Sequence, residues 1–535
     1  MSSLTIIFIT FVLFFWGYKF YARRLELLWQ VDPQRKTPAV SKFDGVDYVP
    51  ARNWLVLFGH HFSSIAGAGP IIGPVIAVIT WGWLPALLWI IFGTIFIGGV
   101  HDFGSLMCSL RQEGSSIADI AKGVISQKSK ILFSIFVWLA LILVIAVFAY
   151  LCADTFVKEP RIVLPSLGLI PVALFIGFLL YKVKANNTLA TILGLVLLTC
   201  LILWGNKLPI SIPQGGLAIW IVVLLAYCFI ASVTPVHVLL QPRDYLSSFL
   251  LFAGLAFGYT GLALSNPRIT QPAYLKWNPG EGGLWPFLCV TIACGAISGF
   301  HSLIASGTTS KQLANERFTR RIGYGGMIAE GFVGVLAVLA IAAGLKGRNL
   351  PDLLKEIGPI NSFAQGYGAL TETILGSYGG FIAVTILNAF ILTTLDTATR
   401  ISRYMTEELF GIKNRYLATI IVLSLSGALA LSGAWQKIWP IFGASNQLVA
   451  ALALLVISCW LLAHKKSLKF TIYPALFMFL TAVSALFIQA QKYIRAKENY
   501  LLFGVTVVLL LLAFYLLIEA ARAAARGLAV HRAGQ

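Results

Sequence analysis

Charge is scarce in this chain. Of its 535 residues, 11% are Asp, Glu, Lys or Arg, under half of the roughly 25% usual in soluble domains. The shortage falls mainly on acids, with 21 Asp and Glu against 40 Lys and Arg, a formal net charge of +19. That composition argues against a water-soluble globular protein and against a disordered one. Cysteine is sparse as well: the seven, at 108, 152, 200, 228, 289, 294 and 459, form no C-x-x-C pair. Most sit in apolar runs, so they read as small buried hydrophobes rather than disulfides or metal ligands. There is no G-x-x-x-x-G-K-[ST] and no H-E-x-x-H, which argues against an ATP-driven pump and a zinc protease. His60 and His61 are adjacent, so on a helix their rings diverge and make no zinc pair. No catalytic residue, metal or cofactor is expected. The longest polar stretches, 22–52, 265–283 and 346–371, are too short for a soluble domain.

What is present is apolar length. Hydrophobic residues make up 58% of the chain and the mean hydropathy is +0.84. About fifteen continuous segments emerge, near 4–21, 53–78, 83–110, 131–153, 162–181, 187–205, 216–240, 246–264, 284–307, 322–345, 372–398, 416–433, 437–463, 470–490 and 499–522. Each approaches the roughly 20 residues that cross a bilayer as a helix. The runs lack the alternation of a barrel strand. The fold class is therefore an all-α polytopic membrane protein. With the N-terminus outside, the connections of one parity and the C-terminal tail hold 27 Lys and Arg and the opposite loops 12. The positive-inside rule then makes the richer side, and the C-terminus, cytoplasmic. The net charge reads as topology and contact with anionic membrane lipid, not as nucleic-acid binding. Residues 1–30 read as an N-terminal anchor helix.

Polar chemistry enters these spans at four places. The second segment contains Gly59-His60-His61-Phe62-Ser63-Ser64-Ile65-Ala66-Gly67-Ala68-Gly69-Pro70-Ile71-Ile72-Gly73-Pro74. Pro removes an amide donor and Gly permits unwinding, and transporters use such broken helices to hold solutes and ions. The alternative is a glycine packing seam through Gly69-x-x-x-Gly73. The seventh segment carries Ser232-Val233-Thr234-Pro235-Val236-His237, followed by Arg243-Asp244-Tyr245. Two interrupted helices of opposite direction, one five-helix unit apart, point to an inverted repeat; for the seventh, the alternative is a simple Pro kink. Repeat one is placed at about 53–205 and repeat two at about 216–398. They lie in a core 31–410, with accessory helices over 411–535. In the ninth segment, hydroxyls at Ser298, Ser302, Ser306 and Thr309 share a helix face beside His301. They suit a cation or water, or simply bonds between helices. Finally, Asp102, Glu330 and Asp396 fall within spans, where a charge needs a partner, a proton or water. Arg400, at i+4 from Asp396, is the expected partner of that acid.

Five of the seven histidines (60, 61, 101, 237 and 301) lie in or beside spans. Clustered with acids, they favour a proton route or an anion site. The solute-binding candidates are His60, His61, Ser63, Ser64, Gly67, Gly69, Thr234, Pro235, Arg243, His301, Ser302 and Ser306. The proton-coupling candidates are Asp102, Glu330 and Asp396.

The run Asp44-Gly45-Val46-Asp47-Tyr48-Val49-Pro50 through Gly59-His60-His61-Phe62 to Gly67-Ala68-Gly69-Pro70 resembles the carbon starvation protein A family. So do Gln241-Pro242-Arg243-Asp244-Tyr245, Cys294-Gly295-Ala296 with Ser298-Gly299-Phe300-His301, Gly323-Tyr324-Gly325-Gly326-Met327, and Trp439-Pro440-Ile441-Phe442-Gly443 with Asn446-Gln447. The resemblance spans roughly 30–465. It implies a bacterial inner-membrane carrier with a five-plus-five inverted-repeat core. It also implies uptake of peptides or of pyruvate, the latter with protons, in carbon limitation. Two other readings stay open: a nutrient sensor that does not translocate, and a sodium-coupled carrier. Oligomeric state is undetermined.

Overall fold

The computed structural model describes residues 2–533 except 214, 281, 434 and 497–499. The expectation of a cytoplasmic C-terminus falls on residues 534–535, outside the described ones. Helices account for all the regular structure among the described residues, apart from one isolated bridge between Ser2 and Arg268.

Apart from the short helices Pro38–Ser41 and Ile117–Val124, the main helices in chain order are α1 (Ser3–Trp29), α2 (Trp54–Ile65), α3 (Gly69–Trp81), α4 (Trp83–Arg111), α5 (Gln127–Lys158), α6 (Pro160–Leu180), α7 (Asn187–Lys207), α8 (Gly216–Val233) and α9 (Leu240–Ser265). There follow α10 (Leu284–Thr291), α11 (Gly299–Gly307), α12 (Glu316–Gly344), α13 (Leu350–Leu375), α14 (Gly379–Phe410), α15 (Arg415–Leu431), α16 (Trp435–Ala463), α17 (Lys469–Ala496) and α18 (Tyr500–Ala533). By length and composition twelve spans qualify among the described residues, or thirteen if the bent pair α2–α3 is one span. The sequence expects about fifteen. Its ninth segment is instead two short helices, α10 and α11, and its twelfth is α15, of 17 residues.

The expected interruption of the second segment is real. α2 stops at Ile65, α3 starts at Gly69 with Pro70 in its first turn, and the two axes differ by 43°. The ninth segment is broken too, over residues 292–298, where Gly295 has φ +90°. That left-handed geometry suits glycine and disfavours residues with a Cβ.

The seventh segment is a different case. α8 ends at Val233, and residues 234–239 connect it to a separate helix. Val236 N–H bonds to Val46 O at 3.3 Å, so this connection lies on the 44–50 loop. A proline in a loop between spans and a proline in a mid-span break look alike to hydropathy. The two breaks within spans are therefore 66–68 and 292–298. A Cβ on Gly69 would lie 2.4 Å from Cys294 Cβ, and one on Gly73 would lie 2.3 Å from Thr291 O. The close approach that these glycines permit brings the two breaks together, so the packing seam and the broken helix are one feature.

Around them, α5 packs along α14, α2 along α9, and α8 against both α5 and α14. The α6–α7 hairpin has its own small apolar cluster, including Leu169, Ile176, Ala190 and Leu198, apart from the main core.

Candidate functional site at two helix breaks

A helix break inside a bilayer strands backbone groups that must find protein partners. Here side chains from neighbouring helices supply them. Thr394 Oγ1 of α14 donates to Ser64 O at 3.2 Å, at the end of α2. Trp89 Nε1 donates to Ile292 O at 3.1 Å, and Thr94 Oγ1 to Gly295 O at 3.0 Å. Gln447 Nε2 donates to Cys289 O. Asn446 Oδ1 accepts from Phe300 N–H at 2.9 Å, and its amide donates to Ser298 Oγ at 2.9 Å. The Asn446-Gln447 pair on α16 thus holds both sides of the second break.

Where the breaks cross, a chain of acids and imidazoles is fully buried. Asp102 on α4 receives two histidines: His101 Nδ1 lies 2.8 Å from Oδ1, and His301 Nδ1 lies 2.9 Å from Oδ2. The other face of His301, at Nε2, is 3.4 Å from Glu330 Oε2 on α12. An imidazole that donates from Nδ1 to an ionised Asp102 presents a lone pair at Nε2, and an ionised Glu330 is also only an acceptor. With both acids ionised, two acceptors would face each other, and among the described residues neither His301 Nε2 nor the Glu330 oxygens have another hydrogen-bond partner; one added proton would satisfy the pair. Sequence reading left Asp102 and Glu330 without a local cation, and the fold gives them a shared histidine. Donor atoms of Cys294, His301 and Glu330 lie within 4.8 Å of one another, close enough to surround a small cation.

A second network lies on the α2 side. His60 Nδ1 is 2.6 Å from Asp244 Oδ2, and its Nε2 is 3.1 Å from the Gln312 amide. Gln241 donates to Gln312 Oε1 at 2.7 Å. Ser63 Oγ donates to Asp244 O at 3.0 Å, and His61 Nδ1 meets Thr309 Oγ1 at 2.8 Å. Ser64 Oγ is 3.2 Å from Thr397 Oγ1. Gly67 is in the break itself, where a Cβ would come within 2.8 Å of Thr394 Oγ1 and 3.0 Å of the Phe148 ring.

The remaining candidates sit elsewhere. Ser302 and Ser306 spend their hydroxyls on carbonyls of their own helix, Gly299 O and Ser302 O, each at 2.7 Å. Ser306 also accepts from Ile117 N–H at 3.2 Å. Thr234 and Pro235 are half-buried in the α8–α9 connection, away from the breaks.

Asp396 does not pair with Arg400 as the i+4 spacing suggests. It pairs with Arg243 of α9, and Tyr227 OH donates to the same oxygen at 2.7 Å. Arg400, one turn on, reaches Asp47 Oδ1 at 3.1 Å, Ala231 O at 2.8 Å and Thr234 O. Tyr404 OH bonds to the same Asp47 oxygen. Of these partners, Asp244 and Asp47 stood inside quoted motifs. Tyr227, Gln312 and Thr394 carried no sequence signal for their roles.

The Arg243–Asp396 pair is fully buried, and breaking such a pair typically costs about 3–5 kcal/mol because one charge is stranded. Asp396→Asn is expected to lower stability on that scale. Arg243→Met combined with Asp396→Leu should lower it less, as read from thermal unfolding in detergent.

Beyond α3 and α10, two cavities of about 350 and 300 Å³ share Ile76 and Leu354 in their walls. The first is lined by Asp154, Lys158 and Glu356, the second by Trp81, Thr291 and Trp439. At the other end the His60–Asp244–Gln312 network and the Asp47–Arg400 pair tie α2, α9, α14 and the 44–50 loop together.

The bundle is similar to solved structures of the Eremococcus coleocola manganese transporter. One of them, in complex with an aromatic bis-isothiourea substituted compound, has a TM-score of 0.55 at 13% identity, covering 91% of this chain and 99% of that one. At this identity the likeness shows the fold alone. Sequence relatives are nearer. The pyruvate/proton symporter BtsT of Escherichia coli is 30% identical over 91% of this chain and 81% of its own length. The peptide transporter CstA of Campylobacter jejuni is 32% identical over 90% and 79%. That of Bacillus subtilis is 31% identical over 85% of each. The family model described as carbon starvation protein CstA matches residues 2–349 and 348–485. The chain is a multi-pass membrane transporter, not an enzyme, and it belongs to the carbon starvation protein CstA family.

Proposed function

We propose that this chain is a secondary carrier that takes up peptides or a small carboxylate such as pyruvate, driven by protons. The observation that carries the coupling is the His301–Glu330 contact, which an added proton would satisfy while Asp102 is ionised. Removing that proton leaves two buried carboxylates and a neutral ring at the crossing of the two breaks, which is costly in a bilayer. Loading and unloading that proton is thereby tied to how the broken helices sit.

The solute reading rests on the first break and on Arg243. The first amides of α3 form a helix N-terminus, which favours a carboxylate. Arg243 Nε and Nη2 are buried without hydrogen-bond partners, and they are the donors a carboxylate would take. Arg243 also stands on Asp396, one short step along α14 from Thr394 at the break. A sodium-coupled reading draws on the Thr394 and Thr397 hydroxyls beside Ser64. The nearby acid Asp396, however, already has a built-in cation in Arg243, and this favours the proton.

The repeat is redrawn accordingly. We pair α2–α3 with α10–α11, α4 with α12, α5 with α14, α8 with α15 and α9 with α16. The α6–α7 hairpin and α13 are then insertions. By the charge count, the end with the two cavities faces outside and the tied end faces the cytoplasm, an outward-facing arrangement.

The test is uptake of labelled pyruvate and of labelled dipeptides into proteoliposomes. Accumulation is expected with an inward proton gradient and not with a sodium gradient alone. Sodium-driven accumulation without a proton gradient would overturn the coupling, and binding without uptake would make the protein a sensor.

A further inference from the structure

We propose that the cavity between α6, residues 43–50 and the α8–α9 connection is a binding site for one anionic phospholipid. The cavity is about 510 Å³, and its walls include Phe43, Val49, Leu174, Phe178, Lys182 and His237. Apolar and cationic groups are segregated in it. Leu174 and Phe178 belong to α6, a helix apolar enough to cross a membrane, and they are 41% and 56% exposed on its outer side. Lys182 stands just past the end of that helix, where a span meets the headgroup layer. An acyl chain along Leu174 and Phe178 therefore places its phosphate at Lys182 and His237.

The charge around this position is unbalanced. No acid lines the cavity. The two acids of the adjoining loop are committed elsewhere. Asp44 Oδ1 accepts from the amides of Val46, Asp47 and Tyr48 at 2.8–2.9 Å, and Asp47 is held by Arg400 and Tyr404. Arg52 is a second cation close to this end of α6, donating to Leu180 O at 2.7 Å and Ala185 O at 3.1 Å. Burial first, and then the charge of Lys182, hold the His237 imidazole below its ordinary range. A phosphate would relieve that repulsion, whereas a choline headgroup would bring a further cation. The site also has a consequence for the fold. Its wall includes Val49 and Pro50, on the loop whose Asp47 holds Arg400, so a seated lipid would brace that loop.

Binding is read independently of transport, so its failure leaves the carrier reading untouched. Purified, delipidated protein in detergent is titrated with phosphatidylglycerol or phosphatidylcholine of matched chains and examined by native mass spectrometry. Phosphatidylglycerol is expected to bind about tenfold better, the scale expected of two cations near an anionic surface. Lys182→Gln with Arg52→Gln should bring the two lipids level. Leu174→Trp, which fills the cavity without changing charge, should weaken both. Equal binding of the two lipids by the unaltered protein would overturn the proposal, as would a preference that survives the double substitution. Full competition by glycerol phosphate would also overturn it, because the apolar wall would then contribute nothing.

Discussion

Asp102→Asn is expected to leave solute exchange across the membrane running while abolishing accumulation driven by a pH gradient. Asp102 accepts from two imidazoles at 2.8 and 2.9 Å, and that is what fixes His301 as an Nδ1 donor with its Nε2 toward Glu330. An asparagine is nearly isosteric and can still accept at its oxygen. It removes the negative charge, and one of its two contacts now meets an NH₂ donor. His301 is then free to turn its tautomer around, and the Nε2–Glu330 contact can be satisfied without an added proton. The coupling proton loses its site while the helix breaks and the solute pocket stay in place. The reading is counterflow against net uptake in proteoliposomes. Counterflow should stay within a few-fold of the unaltered protein, and gradient-driven accumulation should fall by at least about tenfold, the loss of about 1.4 kcal/mol of coupling. Glu330→Gln should act in the same direction. If both variants accumulate solute as the unaltered protein does, the coupling group lies outside this chain of residues.

That prediction joins residues which the sequence showed singly. Asp102, His301 and Glu330 were visible because charge and imidazole inside a span are costly wherever they occur, and composition alone exposes that cost. Their partnership was not visible, since Asp102 and His301 are 199 positions apart. The first break was legible because Gly and Pro act locally on the backbone. The second was not seen as a break. Its signal, Gly295 between Cys294 and Ala296, is weak beside the hydroxyls that follow; of those, Ser302 and Ser306 bond along their own helix, whereas Ser298 and Thr309 bond across to Asn446 and His61. The i+4 spacing of Asp396 and Arg400 proposed the wrong partner for a similar reason. Local spacing cannot see Arg243 or Asp47, which are 153 and 353 positions from the side chains they meet. Thr234-Pro235 misled because hydropathy reports how apolar a segment is, not how deep a proline lies.

Gly69→Ala is expected to remove solute binding and uptake, and Cys294→Gly in the same chain to restore part of both. A methyl at position 69 would stand 2.4 Å from Cys294 Cβ and 2.6 Å from its sulfur, well inside van der Waals contact, so one of the two breaks must move. Overpacking of this kind costs about 1–3 kcal/mol. Here the strain falls where α3 begins and where residues 292–298 cross it, the two segments proposed to shape the solute pocket. Removing the Cys294 side chain takes away the atoms that clash, together with the sulfur's contact to the Asn446 amide at 3.8 Å, so restoration is expected to be partial. Gly73→Ala makes the contrasting case. Its methyl would stand 2.3 Å from Thr291 O, a backbone atom, so no side-chain substitution can make room and Cys294→Gly should not help it. Affinity measured for Gly69→Ala, Cys294→Gly, their combination and Gly73→Ala with and without Cys294→Gly reads this directly. Contacting residues couple by about 0.5–3 kcal/mol in such a cycle. A coupling at that level for position 69 and none for position 73 places the two breaks against each other at the solute site. Additive losses at both positions would mean that the meeting of the breaks does not govern binding.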